Sequence, residues 1–386
     1  MFTAFLGLGL TSFGGPIAHL GYFRSAFVER RRWLSESAYA DLVALCQFLP
    51  GPASSQVGMA LGLRRAGLGG MLAAWTAFTL PSAALLVAFA FGVQALGAEA
   101  DAGWLQGLKA AAVAVVAHAV LGMARSLAPD RERAAVAVGG MVLAMLLPSA
   151  LGQVLVILVA GLIGLVWLRP EQTTAAGEGL AVALRRRFAV VCLVLFALLL
   201  AALPLAAGAT RNGALVLIDS FYRAGALVFG GGHVVLPLLR AETVQPGLVA
   251  DQNFLAGYGA AQAVPGPLFT FAAYLGAVTE SGPTGLTGAA IALLAIFLPS
   301  ALLVLGVLPF WERLRRAPRA RRALMGVNAG VVGLLAAALY DPVFTEGVTS
   351  AVAMAIAAVA FVALTAWKAP AWGVVVAAAL LGWAVL

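Results

Sequence analysis

The chain of 386 residues is 62% hydrophobic and 10% charged, with a mean hydropathy of +0.99. Soluble domains carry about 25% charged residues, so a soluble globule is excluded and a bilayer is the expected solvent. The net charge of +8 does not point to nucleic acid, because the basic residues lie in short loops beside apolar runs, where they set orientation in a membrane.

Taken in chain order, residues 1–20 lack the basic n-region and the small-residue cleavage site of a signal peptide. Residues 1–15 and 16–32 read as short helices meeting at Phe13-Gly14-Gly15-Pro16, and 37–50 and 52–63 as a second pair meeting at Pro50-Gly51-Pro52. Apolar stretches of the ~20 residues needed to cross hydrocarbon follow. They cover 67–97, 103–124, 134–168, 188–209, 284–310, 323–340 and 347–386. The 134–168 and 347–386 stretches have room for two spans each, broken near Pro148 and Pro370, and further short pairs read at 213–248 and 251–279. Cys46 and Cys192 fall in apolar segments without pairing or ligand spacing, so neither a disulfide nor a metal site is expected.

The chain repeats itself. Phe13-Gly14-Gly15, Gln47-Phe48-Leu49-Pro50-Gly51-Pro52 and Leu80-Pro81-Ser82-Ala83 return in order as Phe229-Gly230-Gly231, Gln262-Ala263-Val264-Pro265-Gly266-Pro267 and Leu298-Pro299-Ser300-Ala301, at an offset of 215–218 residues. Ordered recurrence at near-constant spacing indicates two homologous halves. In a membrane chain, duplication with Gly- and Pro-broken segments indicates a transporter.

Loop charges give the halves opposite orientation. Arg24, Arg30 to Arg32, Arg64, Arg65, Arg125, Arg131 and Arg133 mark first-half loops as cytoplasmic, and Glu99 and Asp101 mark an outer one. In the second half the loop matching Glu99 carries Arg313 to Arg322, while the loops matching the basic ones carry Glu242, Asp251, Glu280, Asp341 and Glu346. Parity holds if the glycine and proline pairs are re-entrant hairpins that do not change sides. The expected fold is therefore an all-α polytopic membrane protein of two inverted-topology repeats, each with two re-entrant hairpins and about four transmembrane helices. The repeats would span 1–170 and 211–386, joined over 171–210 by a cytoplasmic loop and a linker transmembrane helix. All Lys and Arg except Lys109, Arg211, Arg223 and Arg240 are then cytoplasmic.

Each hairpin tip begins a half-helix, whose free N–H groups and positive dipole end face the midplane; four such ends converging would make an anion site. The alternative is that Gly and Pro only kink ordinary spans or allow close packing. The runs Ser12-Phe13-Gly14-Gly15-Pro16, Glu29-Arg30-Arg31-Arg32-Trp33-Leu34-Ser35 and Leu49-Pro50-Gly51-Pro52, with Phe229-Gly230-Gly231-Gly232 and Val264-Pro265-Gly266-Pro267, resemble the chromate ion transporter family over nearly the whole chain, in its long two-domain form. The resemblance implies chromate efflux across the inner membrane, driven by membrane potential or a proton gradient, with sulfate as the related oxyanion. One departure is that Met1 aligns with Leu217, so the first hairpin lacks several N-terminal residues that its partner has, as a misassigned start codon would leave it.

The candidate substrate-binding residues are the tip glycines Gly14, Gly15, Gly51, Gly230, Gly231 and Gly266, the repeat mates Gln47 and Gln262, and Ser54, Ser55, Thr270 and His233. Backbone amides, hydroxyls and carboxamides can meet a dianion from several directions. Ser and Gln could equally satisfy broken backbone within the hairpins. His19 is placed like His233, a few residues after a tip. Lys109, inside a span opposite its mate Asn328, is an anion contact or a snorkelling lysine. Arg24, Asp41, Arg223 and Arg240 are gathering or coupling charges; Asp219 and Arg223 have the i,i+4 spacing of a structural ion pair, and Arg24 and Arg240 could be anchors. His118 is more readily a packing residue than a proton carrier. A glycine-rich face at Gly62, Gly67, Gly69 and Gly70 suits close helix packing, within a protomer or across a homodimer. No cofactor, nucleotide loop or metal cluster is expected, so an enzyme and an ATP-driven pump are disfavoured. A sulfate or molybdate transporter and an oxyanion channel remain as alternatives.

Overall fold

The computed structural model describes residues 1–13, 15–96, 103–147, 149–169, 184–229, 235–314 and 317–386, and every regular element in them is helical. The first half runs α1 Phe2–Thr11, α2 Gly15–Arg24, α3 Glu36–Phe48, α4 Ala53–Leu96, α5 Gly103–Leu127, α6 Arg131–Leu146 and α7 Ala150–Trp167. After α8 Arg186–Thr210 come α9 Gly213–Leu227, α10 Val235–Thr243, α11 Asp251–Ala263, α12 Phe271–Ala277 and α13 Gly285–Val307. The chain closes with α14 Trp311–Leu314, α15 Pro318–Ala338, α16 Thr345–Gly347, α17 Ala351–Thr365 and α18 Ala371–Val385.

Local chemistry sets most boundaries. The side chains of Ser35, Asp130, Ser149, Asn212 and Ser350 accept hydrogen bonds from the first turns of α3, α6, α7, α9 and α17. Leu49 turns extended ahead of Pro50 and ends α3. α4 is not one rod. Ala66 and Gly67 leave helical geometry, Gly67 with φ +61°, and the chain folds back so that a Cβ on Gly62 would lie 2.3 Å from the Gly70 carbonyl oxygen. The second half repeats this: a Cβ on Gly276 of α12 would lie 2.2 Å from the Gly288 oxygen of α13. Gly62 and Gly70 thus pack within one chain, while nothing lies within 4 Å of a Cβ added to Gly67 or Gly69.

Within each half, the first helix lies on the long one. A Cβ on Gly9 would sit 2.8 Å from the Ala77 oxygen, and one on Gly225, its repeat mate, 2.1 Å from the Ile296 oxygen. The last helices are exchanged between halves: α5 packs against α17 and α18, and α15 against α6 and α7. Mated glycines again mark the crossings, with Gly107 against Ala378 and Gly326 against Ala160.

Among the described residues, five helical segments are long and apolar enough to cross a membrane: Ala53–Val93, Gly103–Leu127, Arg186–Thr210, Gly285–Phe310 and Pro318–Gly347. The pairs expected in 134–168 and 347–386 appear as α6 with α7 and α17 with α18, each of 15–18 residues. Large apolar side chains such as Leu151, Val166, Leu205 and Trp383 are mostly exposed on the periphery, as a surface solvated by lipid requires. The chain is a multi-pass helical membrane protein. Its interior centres on α11 and α12, where Phe254, Tyr258, Phe271 and Tyr274 are fully buried.

Candidate oxyanion site

The two Pro-Gly-Pro tips are bonded reciprocally across the molecule. The Gly51 amide donates to the Val228 carbonyl at 2.6 Å, and the Gly266 amide donates to the Ser12 carbonyl at 2.9 Å. Gly51 and Gly266 are repeat mates, and so are Ser12 and Val228, so one contact is the symmetry image of the other. Both glycines sit at positive φ, +119° and +105°, which lets the backbone turn sharply after proline. The amides expected to be open to an anion are therefore occupied by carbonyls: a broken helix must satisfy its own backbone when no ligand does.

Around this centre lies a girdle of small uncharged polar groups. Ser82 and Ser300, the serines of the repeated Leu-Pro-Ser-Ala motif, are fully buried. Each faces the tip of the opposite half: a Cβ on Gly51 would lie 2.2 Å from Ser300 Oγ, and one on Gly266 would lie 2.7 Å from Ser82 Oγ. The Ser82 hydroxyl donates to the Thr79 carbonyl, and Ser300 Oγ accepts from Gln56 Nε2, which also donates to the Pro50 carbonyl. Hydroxyls of Ser12, Ser55 and Thr79 and the Gln262 Nε2 are buried without a protein partner. Such groups are costly to bury unsatisfied, and a polar ligand removes the cost. His19 ties the first tip to α4. Its Nε2 lies 3.1 Å from the Ser12 carbonyl, which can only accept, so this nitrogen carries the proton and Nδ1 receives the Ser54 hydroxyl at 3.4 Å.

The expected site residues separate. Gly51, Ser54, Ser55, Gly266 and Thr270 are brought together at the tips, and Gly15 starts α2 at φ +76°. The Thr270 hydroxyl donates to the Pro267 carbonyl, a local backbone partner. Gln47 is exposed while its mate Gln262 is partly buried. The reason is packing: α11 is enclosed by α4, α5, α12 and α18, whereas α3 is covered chiefly by α4 and α2. Gly14, Gly230, Gly231 and His233 lie outside the described residues. Lys109 is buried on α5, one turn from Gln106, which meets Thr349. The neighbouring Leu108 backbone packs on Gly259 of α11, in the helix that leads to the second tip. Asp41 is partly buried on α3 and His118 is exposed.

Arg24 and Arg240 are both held in ion pairs. Arg24 bonds Glu36 and Glu29, each at 2.6 Å, and its mate Arg240 bonds Asp251 at 3.0 Å, so in each half the last turn of the second helix is clamped to the first residue of the third. Hydrogen bonding to Glu36 and the charges of Glu36 and Glu29 hold the Arg24 guanidinium above its ordinary range. Exposed pairs contribute little. Arg24→Gln is accordingly expected to keep oxyanion flux in membrane vesicles within about twofold of the parent. Arg223 does pair with Asp219, and also with Glu242 at 3.1 Å, a contact that sequence spacing did not disclose.

Ser82 and Ser300 were the missed members of the girdle. Their signal was present in the repeated motif, but a serine after a helix proline reads as a local backbone partner until the opposite tip is seen against it.

Comparison with known proteins gives one family. The family described as Chromate transporter matches residues 1–165 and 215–383. The chain is 34% identical over its full length to the chromate transport protein of Pseudomonas aeruginosa, covering 92% of that protein. It is 29% identical to a probable chromate transport protein of Synechococcus elongatus and 26% identical to the chromate transport protein of Cupriavidus metallidurans, over 87% of this chain and 82% and 80% of theirs. No solved structure matches it. With both halves matched and a relative aligned end to end, the chain belongs to the chromate transporter family.

Proposed function

We propose that this protein is a secondary transporter that exports chromate, or a sulfate-like tetrahedral oxyanion, across the inner membrane. The observation that carries the substrate is the full-length similarity to a chromate transport protein. In this reading the halves, 1–170 and 211–386, are inverted repeats with the tips as re-entrant ends near the midplane, joined through 171–210. The reversed loop charges and the reciprocal bonds of Gly51 and Gly266 support it.

The anion enters by separating the tips. Its oxygens replace the Val228 and Ser12 carbonyls on the two glycine amides, and the hydroxyls of Ser12, Ser55, Thr79, Ser82 and Ser300 with the Gln262 carboxamide complete a shell of neutral donors. Positive half-helix ends offset part of the dianion's charge, and Lys109, buried on α5 beside the residue that packs on α11, adds a full one. Closure restores the carbonyl–amide bonds, so an empty carrier is sealed. Membrane potential or a proton gradient supplies the drive.

Chromate uptake into everted vesicles, with sulfate as competitor and an uncoupler as control, tests this reading. Saturable uptake that sulfate inhibits and the uncoupler abolishes is expected. Conductance that does not saturate would replace the carrier with a channel, and no uptake above empty vesicles would sink the assignment. Ser82→Ala and Ser300→Ala are each expected to raise the KM for chromate about tenfold, since a hydrogen bond to a charged group contributes ~1.5–3 kcal/mol.

A further inference from the structure

We infer that Asp219, Arg223 and Glu242 form a proton-binding site confined to the second half, whose protonation and oxyanion binding favour one another. This rests on the transport reading above. One guanidinium nitrogen, Arg223 Nη2, serves both carboxylates, Asp219 on its own helix and Glu242 on α10. The two carboxylate side chains are only 9% and 8% exposed. Two carboxylates and one guanidinium sum to minus one, a charge that buried surroundings disfavour and that two neighbouring carboxylates relieve by sharing a proton.

Among the described residues of the helices packed on α9 and α10, no second cation faces the pair. On α10, Arg240 is engaged by Asp251, and the Thr243 hydroxyl donates to the Leu239 carbonyl. On α9, the Tyr222 hydroxyl donates to the Phe196 carbonyl of α8. Residues 188–210 of α8 and 285–307 of α13, the helices packed on α9, contain no charged residue. Of the helices packed on α10, α7 has none, and α15 approaches it with Leu334, Ala337 and Ala338, far from its own Arg319, Arg321 and Arg322. Asp341, just beyond α15, lines a cavity of about 160 Å³ with Arg240 and Gln245 and adds negative charge.

The site is not part of the repeated scaffold, because the mates of Asp219, Arg223 and Glu242 are Thr3, Gly7 and Ala26. It is nonetheless tied to the tips. Arg223 lies five residues before Val228, ~7 Å along α9, and the Val228 carbonyl is the one that covers the Gly51 amide. A triad left at minus one repels an incoming dianion across that distance, and a protonated, neutral triad does not. Linkage then makes the effect mutual. A dianion leaving with one proton still carries one net negative charge outward, so an inside-negative potential drives it.

The first test is infrared difference spectroscopy of the purified full-length protein through a pH titration between about pH 5 and pH 9. A protonated-carboxyl band that titrates in the parent and is missing in Glu242→Gln is expected; a titration unchanged by that substitution, or none at all, overturns the inference whatever the protein transports. The second is sulfate binding at about pH 6 and pH 8, with sulfate chosen because chromate itself takes up a proton in this range. The parent is expected to bind at least about fivefold more tightly at the lower pH, Glu242→Gln to bind tightly at both, and Glu242→Asp to regain the dependence. A parent without pH dependence, or a Glu242→Gln protein that keeps it, overturns the coupling. If sulfate binds at neither pH while the carboxyl band titrates, the oxyanion reading fails and the proton site stands.

Discussion

Gly51→Ala is expected to lower chromate uptake at least about tenfold while the protein still reaches the membrane. The new Cβ would lie 2.2 Å from Ser300 Oγ and 2.7 Å from Gln56 Nε2, at a φ of +119° that L-residues rarely adopt. Backbone strain of this kind costs ~1–3 kcal/mol, and forced overpacking a similar amount. Side-chain rotation of Ser300 and Gln56 relieves part of the clash, but it moves the groups assigned to the anion. The effect therefore falls on transport more than on folding. Gly266→Ala, at φ +105° with Ser82 Oγ 2.7 Å from its Cβ, is expected to show the same defect, because the two tips are images of each other. Vesicle uptake normalised to immunoblotted protein measures it, and wild-type uptake in either variant would remove the tips from the transport path.

Gly107→Ala and Gly326→Ala are expected to damage the fold itself. A Cβ on Gly107 would lie 2.1 Å from the Ala378 carbonyl oxygen, and one on Gly326 would lie 2.0 Å from the Ala160 oxygen. Here the obstacle is backbone, which cannot rotate away, so α5 must separate from α18, or α15 from α7. Without a hydrophobic drive between helices in lipid, close backbone approach supplies much of the association, and small residues permit it. A loss of ~1–3 kcal/mol or more is expected for each, seen as earlier thermal unfolding of detergent-purified protein. Gly69→Ala and Gly122→Ala are the controls: nothing lies within 4 Å of either added Cβ, and alanine improves helix propensity by ~1 kcal/mol. Equal behaviour of all four variants would show that the exchanged crossings do not hold the halves together.

These two sets separate what each level of structure contributes. Composition alone excluded a soluble fold, and short-range chemistry legible in the chain set several helix boundaries: the proline after α3 and the breaks beside Pro148 and Pro370. The repeat at 215–218 residues disclosed the duplication and the tip motifs, because symmetry leaves the same small residues at the same places. The ion pair of Asp219 with Arg223 was legible too, being set by one helical turn.

Tertiary packing decided the rest. Spacing within α9 could not reveal that Glu242, on another helix, shares the same guanidinium nitrogen. Equal motifs around Gln47 and Gln262 could not reveal that α11 is enclosed and α3 is not, since enclosure depends on neighbours more than 100 residues away, such as α18. Nor could the glycines at the tips declare that their amides bond the opposite half's carbonyls. A chain shows which backbone groups a break leaves without a helical partner; only the assembled fold determines which distant group, or which ligand, satisfies them.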